Sequence, residues 1–207
     1  MKLYSAHRAP NPRRVLMFIA EKGIGGIEVV NLTLNEQQHR SEEFVRRSAF
    51  SKVPVLELDD GRCLSETRAI CSYLEALHPE PDLMGRDPIE RAFVEMADRQ
   101  SELYLMAPLA MWIRHAHPGL AVLEGRQFPD YALAQRDLAL QQAQAFEQRL
   151  AGQPWMAGER FTIADITAFC AVEFARGLMK LKLADAGLPQ LQAWRDRVAA
   201  RPSAAVV

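Results

Sequence analysis

Apolar residues in the first part of the chain follow strand and helix periods in turn. Two short runs, Lys2–Ser5 and Ile27–Leu32, predict β-strands, and the apolar positions over Val15–Ile19 predict one face of a helix between them. Asn11 followed by Pro12 predicts the start of this helix, because asparagine is a favoured N-cap and proline fits the first helical position. A helix between two strands favours a parallel βαβ unit.

The pattern then changes to a short helix, a hairpin and a longer helix. Ser41 is expected to cap the short helix, and Asp59–Gly61 is typical of a hairpin turn between strands over 51–58 and 62–64. A helix with apolar residues at helical spacing follows, to about residue 77. The order β-α-β-α-β-β-α predicts an α/β domain with a mixed sheet over residues 1–77.

One proline stands inside the third predicted strand, in the stretch Ser51–Leu58. Pro54 contributes no N–H to a sheet, so it belongs at an edge, a bulge or a special turn. The hairpin and the polar helix start at Ser65–Thr67 follow it closely in sequence. Together these features predict a place where a bound ligand meets the backbone.

The second half of the chain predicts an all-helical domain over residues 89–207, after a linker over 78–88 that three prolines and a glycine interrupt. Its first helix is expected to bend at Pro108. A central core helix is expected to begin at Thr162, with Asp165 completing a capping box. The first helix passes through Met96, Leu103 and Met106; a second, over 130–150, is expected to place Leu138, Phe146 and Leu150 inward; Leu191, Trp194 and Val198 mark the last.

Composition narrows the class of protein. The 207 residues carry a formal net charge of −1, which gives no electrostatic reason to expect a nucleic acid or an anionic membrane as partner. No run is long enough to span a bilayer, and the start shows no signal peptide. Cys63, Cys71 and Cys170 are scattered, so we expect free thiols in the cytoplasm and neither disulfides nor a metal site.

Over essentially its whole length the chain resembles bacterial-type cytosolic glutathione transferases. The resemblance implies a thioredoxin-like N-terminal domain, an all-helical C-terminal domain, a homodimer, a cis Val53–Pro54 bond and glutathione as co-substrate without a metal. Each matching stretch is weak alone, but their joint order and spacing are specific. The stretches are Lys2–Ser5 with Pro10–Val15, Ala20–Ile24, His39–Phe44, Lys52–Leu56, Glu66–Ile70, Trp155–Gly158 with Phe161–Asp165, and Trp194–Pro202.

A glutathione site must bind three parts of the tripeptide: the amino-acid head with its ammonium and carboxylate groups, the cysteinyl backbone, and the carboxylate at the opposite end, the tail. The Glu66 carboxylate can take the ammonium group, while the Thr67 hydroxyl and the free N–H groups of that helix start can take the carboxylate. The alternative is that Ser65 caps the helix and Glu66 complements its dipole. A cis bond at Pro54 would turn the main chain of Val53 outward, where it can pair with glutathione like one more strand.

Two further residues match positions that the family often uses for the tail carboxylate. They are Lys52 and His39. The alternative is that both are solvated surface residues. Phe50 matches a position at which some members insert an aromatic side chain into the partner subunit.

The part of the site expected next to the glutathione thiol departs from the family pattern. Members of this type usually place Ser or Cys where this chain has Ala9, which can neither donate a hydrogen bond nor form a mixed disulfide. The start of the first helix remains, with its positive dipole, and Asn11 can add a side-chain donor, as in relatives of the Nu class. The alternative is that Asn11 only caps the helix. Tyr4 and Ser5 are reserve candidates, with Tyr4 expected in the core.

The resemblance implies an enzyme that stabilises the glutathione thiolate for attack on an electrophilic small molecule. A glutathione-dependent disulfide or peroxide reductase, and a glutathione-binding module with little turnover, stay open as alternatives. A thioredoxin-like cysteine reductase is disfavoured, because no cysteine lies near the first helix. The second substrate is expected between the domains, against a wall formed by Tyr104, Met106, Trp112 and Arg114.

Overall fold

The computed structural model describes residues 1–206, which form two compact units. The first comprises Met1–Pro81 together with Ala205 and Val206, and the second comprises Asp82–Ala204. Val207, the last residue of the predicted helical domain, lies outside the described residues.

The first unit is built on a mixed four-stranded sheet in the order β2-β1-β3-β4. Its strands are β1 (Lys2–Ser5), β2 (Glu28–Asn31), β3 (Val55–Glu57) and β4 (Cys63–Ser65). β1 runs parallel to β2 and antiparallel to β3, and β3 runs antiparallel to β4. The predicted mixed sheet, with a parallel βαβ unit and an antiparallel hairpin, is confirmed.

Three helices join these strands: α1 (Pro10–Lys22), α2 (Glu42–Val45) and α3 (Thr67–Leu77). Ser41 caps α2 as predicted, since its Oγ accepts from the N–H of Phe44. The start of α1 was predicted wrongly, because Ala9 is the N-cap and Asn11 is the second helical residue. Proline is favoured at the first helical position. Pro10 occupies that position, one residue before Asn11.

A buried lysine ties the end of α1 to the end of the unit. The Lys22 side chain is fully buried, and its Nζ lies 2.7 Å from a carboxylate oxygen of Glu75 on α3. The same ammonium group donates to the carbonyl of Pro81, also over 2.7 Å. A buried charge needs such partners, so Lys22 fixes the chain where the first unit ends.

The second unit is helical. Its helices are α4 (Pro88–Gln100), α5 (Ala107–Ala116), α6 (Ala121–Glu124), α7 (Pro129–Gly152), α8 (Ile163–Met179) and α9 (Pro189–Ala199), with a π-helical segment over Ser101–Met106. The bend predicted at Pro108 stays a prediction; the π-helical segment ends two residues before this proline. Pro108 has no N–H to offer the carbonyl four residues before it, so the hydrogen-bond pattern changes there.

Burial along α7 differs in part from the prediction. Phe146 and Leu150 are buried as expected, whereas Leu138 is 38% exposed and its predicted inward position is wrong. Ala139 and Ala143 face inward instead. With Phe146 and Leu150 they are spaced by four, three and four residues, which is one face of a helix.

The predicted capping box at the start of α8 is confirmed for Thr162 and Asp165. The Asp165 carboxylate is buried and accepts from the N–H of Met156, the N–H of Thr162 and the indole N–H of Trp194. Burial raises the pKa of Asp165 to about 6, although these donors act in the opposite direction. This carboxylate therefore joins the start of α8 to α9, whose predicted core residues Leu191, Trp194 and Val198 are all fully buried.

Candidate active site

Among the described residues of the first unit, four residues other than glycine have a positive φ, which such side chains rarely adopt. They are Arg8 (φ 60°), Gln37 (φ 58°), Ser51 (φ 52°) and Glu66 (φ 69°). Arg8 lies just before α1, Gln37 just before the 3₁₀ turn that contains His39, Ser51 just before Pro54, and Glu66 at the N-cap of α3. Such strain clusters at functional sites, and each of these residues lies next to a segment where the sequence predicts ligand contact.

The loop before Pro54 is held by a serine that the sequence analysis missed. Ser48 is 3% exposed. Its Oγ accepts from the N–H of Lys52 over 3.1 Å and donates to the carbonyl of Lys52 over 3.0 Å. The Lys52 side chain is exposed, and the following Val53–Pro54 bond is cis. Two bonds from one hydroxyl fix the backbone where the predicted contact with glutathione begins.

Val53 has the backbone needed for strand-like pairing. β3 begins only at Val55, which pairs with Tyr4 on one side and Ser65 on the other. Within residues 1–206 the N–H and C=O of Val53 make no hydrogen bond. Main-chain groups next to a strand are normally paired, so those of Val53 are available to an extended peptide.

The start of α3 presents an acidic side chain and uncapped amides. Glu66 is exposed, and no side chain caps the helix. Ser65 belongs to β4, so the alternative in which it caps α3 is wrong. Thr67 is 6% exposed, and its hydroxyl donates to the carbonyl of Asn11 over 3.4 Å. That long bond joins the start of α3 to the start of α1.

At the start of α1, Asn11 is the residue that can supply hydrogen-bond donors. Pro10 and Pro12 carry no N–H, and the N–H of Arg13 already bonds to the carbonyl of Ala9 over 3.2 Å. The Asn11 side chain does not cap the helix, so that alternative is wrong. Its Oδ1 instead accepts from Nη1 of Arg14 over 3.1 Å.

The two reserve candidates lie in β1. The Tyr4 hydroxyl donates to Glu57 over 3.0 Å, and Glu57 also accepts from Arg47 over 2.8 Å. Burial, and then the bond to Glu57, raises the pKa of Tyr4. Its hydroxyl is therefore not suited to act as an acid next to the glutathione sulfur. Its predicted core position is confirmed, because it packs edge-to-face on Phe44 at 5.8 Å. Ser5 is fully buried, and its hydroxyl has no hydrogen-bond partner among the described residues.

His39 and Phe50 lie in the segment that leads to this loop. His39 sits in a 3₁₀ turn over Gln38–Arg40 and is 8% exposed, so the alternative of a solvated surface histidine is wrong. Phe50 is 76% exposed, which is unusual for a large aromatic side chain. Carboxylate binding by His39 and a subunit contact at Phe50 stay predictions.

The four residues predicted to meet the second substrate lie in the second unit. Met106 and Trp112 are buried, whereas Tyr104 is 49% exposed. Arg114 is partly exposed and forms an ion pair with Glu124. Their role in binding a second substrate stays a prediction.

Sequence reasoning missed Arg8, Ser48 and Arg14. No local sequence pattern predicts the strained conformation of Arg8 or the loop contact of Ser48. Arg14 had a signal, because residues three apart on a helix are neighbours and asparagine three residues before arginine forms a natural pair. Among residues 1–206 no three His, Cys, Asp or Glu side chains are grouped as metal ligands are, and no helix there is both long and apolar enough to cross a membrane.

Comparison with known proteins assigns both halves of the chain to one family. The family model described as "Glutathione S-transferase, N-terminal domain" matches residues 1–76, and the one described as "Glutathione S-transferase, C-terminal domain" matches residues 105–202. Glutathione S-transferase 2 of Saccharomyces cerevisiae is 36% identical, over 98% of this chain and 87% of that protein. Glutathione S-transferase 4 of Zea mays is 27% identical, over 99% and 90%.

Solved structures agree with this assignment. Gtt2 from Saccharomyces cerevisiae superimposes with a TM-score of 0.91 at 36% identity, over 98% of both chains. A glutathione S-transferase domain-containing protein of Marinobacter aquaeolei gives 0.89 at 38% identity, over 98% of this chain and 99% of that one. The chain belongs to the glutathione S-transferase family, which uses glutathione as co-substrate, and the predicted fold and glutathione transferase function are confirmed.

Proposed function

We propose that the first unit binds glutathione along the loop at Pro54 and stabilises its thiolate at the start of α1, for attack on an electrophilic small molecule. The observation that carries this proposal is the main chain of Val53, which is unpaired beside β3. An extended tripeptide can pair with it through two backbone hydrogen bonds. The strained residues Ser51 and Glu66 flank this edge on either side in sequence.

Each charged end of glutathione can be paired with a protein group of opposite charge. The exposed Glu66 takes the ammonium of the γ-glutamyl head, and Thr67 with the uncapped first turn of α3 takes its carboxylate. The Thr67 hydroxyl is free to turn to the ligand, because its present bond of 3.4 Å is at the limit of a hydrogen bond. Lys52, whose backbone Ser48 fixes, and His39 take the carboxylate of the tail.

The thiolate is stabilised by position and electrostatics, without a side-chain hydroxyl. Ala9 offers only a methyl group, so the donors are the backbone N–H and the Nδ2 group of Asn11, at the positive end of α1. Charge-assisted hydrogen bonds of this kind favour the anion and so lower a thiol pKa.

We also propose a homodimer. In the first unit Phe50 is 76% exposed. In the second unit Ile89, Phe93 and Met96 are 71%, 57% and 47% exposed, at the spacing of one face of α4. A second copy of the chain would cover these apolar side chains. The cytoplasm is the proposed location, supported by Cys63, Cys71 and Cys170, none of which forms a disulfide.

The test is calorimetry with glutathione, followed by ultraviolet titration of the bound thiol and a conjugation assay with chlorodinitrobenzene. We expect binding, a thiol pKa clearly below that of free glutathione, and turnover. Ala9 favours one second candidate, a glutathione-binding module with little turnover. In that case glutathione would bind while its thiol pKa stayed unshifted and the assay stayed at background.

A further inference from the structure

The two ends of the Asn11 carboxamide are chemically different, and one of them already has a partner. Oδ1 accepts from Nη1 of Arg14 over 3.1 Å. A guanidinium group has five N–H donors and no acceptor, so the NH₂ end of the carboxamide cannot take that place. The contact therefore selects one of the two orientations of the amide.

Arg14 is itself held in place. It lies in α1, three residues after Asn11, and is 2% exposed, so its guanidinium has little freedom to move. The backbone around Asn11 is restricted as well, because Pro10 and Pro12, on either side of it, have restricted φ angles. The Asn11 residue as a whole stays exposed, within reach of a ligand.

We propose that Arg14 is a positioning residue, which turns the carboxamide of Asn11 so that its Nδ2 group, and not its Oδ1, faces the sulfur of glutathione. This inference rests on the proposed function. In the opposite orientation the lone pairs of Oδ1 would face the thiolate and repel it. With Arg14 in place, the sulfur anion meets a donor.

A double-mutant cycle separates positioning from the simple effect of a nearby positive charge. The variants are Arg14→Met, Asn11→Ala and the double variant, with the thiol pKa of bound glutathione measured by ultraviolet titration. We expect Arg14→Met to raise that pKa by about one unit, the size of one hydrogen bond to a charged group. In the Asn11→Ala background the same change should have almost no effect. An equal rise in both backgrounds would show that Arg14 acts through its charge, and would overturn the inference.

Two controls keep the outcomes distinct. Calorimetry on the unmodified protein tests the proposed function separately: absence of glutathione binding removes both proposals, whereas binding with an additive cycle removes only this one. If Arg14→Met does not fold, side-chain amide NMR of the unmodified protein replaces it. The Nδ2 proton signals of Asn11 should shift strongly on addition of glutathione above its bound thiol pKa and weakly with S-methylglutathione. Equal shifts with both ligands would contradict the inference.

Discussion

The hydroxyl of Ser48 forms two hydrogen bonds with the main chain of Lys52, accepting from its N–H over 3.1 Å and donating to its carbonyl over 3.0 Å. One buried side chain thus sets the backbone immediately before the Val53–Pro54 edge. Any ligand that pairs with Val53 depends on this arrangement.

Replacing Ser48 by alanine should therefore weaken glutathione binding. Loss of two partly buried hydrogen bonds lowers stability by about 1–2 kcal/mol, and a freer loop should raise the Kd for glutathione several-fold. Calorimetry and thermal unfolding measure the two effects. Ser72→Ala is the control, at an exposed serine of α3 that accepts only a surface hydrogen bond from Arg68, and it should leave the Kd unchanged. An unchanged Kd in Ser48→Ala would mean that the loop before Pro54 does not bind glutathione.

Asn11→Ala should reduce turnover more than affinity. If Asn11 donates to the thiolate, its loss raises the thiol pKa of bound glutathione and lowers kcat by about tenfold, the size of one charge-assisted hydrogen bond. The Kd for glutathione should change less, because the other contacts remain. Asn35→Ala, at another exposed asparagine, serves as control. Equal losses of kcat and affinity would contradict the role assigned to Asn11.

Ala9→Ser should supply the hydroxyl donor that the family resemblance leads one to expect at this position. Ala9 is the N-cap of α1 in an extended conformation, so a serine hydroxyl there can accept from the N–H of Asn11 while donating to sulfur. We expect an increase of about tenfold in conjugation rate and a gain of about 1 kcal/mol in stability. Ala20→Ser, exposed on the same helix, controls for general effects. A gain in stability without a gain in rate would show that the serine hydroxyl only caps the helix and does not donate to sulfur.

Asp165 should make stability depend on pH. Its folded pKa of about 6 lies above the ordinary value of 3.8, so the folded state holds the proton more tightly than the unfolded state. The contribution of Asp165 to the free energy of unfolding is therefore greatest below about pH 4 and falls, by roughly 3 kcal/mol at most, as pH rises through 6.

Denaturant unfolding between pH 4 and pH 7 measures this slope. Asp165→Asn cannot ionise and should remove the slope. It should also lower stability by about 2 kcal/mol, since its NH₂ group would face N–H donors. Asp185→Asn, at an exposed aspartate, should keep the slope. An identical pH dependence in Asp165→Asn would show that another group is responsible.

The dimer proposal depends on Phe50, the most exposed of the large apolar side chains identified above. Phe50→Asp places a charge where the partner should cover an aromatic ring, so sedimentation should show a shift from dimer to monomer. Phe128→Asp, at an aromatic residue of the second unit that is 45% exposed, should leave the mass unchanged. A monomer in the unmodified protein, or a dimer that Phe50→Asp does not weaken, would contradict the proposal.

Local sequence rules predicted most of the fold. Apolar periodicity and the turn at Asp59–Gly61 were sufficient to predict the parallel βαβ unit and the antiparallel hairpin. The capping box of Thr162 and Asp165 follows from two residue types at a fixed spacing. The start of α1 was missed because Pro10 and Pro12 compete for the same early helical positions. The orientation of Leu138 was predicted wrongly because alanines occupy the inward face of α7. A prediction based on large apolar residues gives alanine little weight.

The site was harder to predict where it depends on three-dimensional contacts. Glu66 and Thr67 could be placed at the start of a helix because a helix start is a local feature. Ser48 and the burial of His39 depend on how the loop over residues 37–54 folds back, and no local pattern encodes that. The bond from Thr67 to the carbonyl of Asn11 joins residues 56 apart in sequence.

The most direct test of this account is the thiol pKa of glutathione bound to the unmodified protein, measured by ultraviolet absorbance across a pH titration. We expect a value well below that of free glutathione, because the positive end of α1 and the donors of Asn11 favour the anion. A bound thiol that titrates like free glutathione would contradict it.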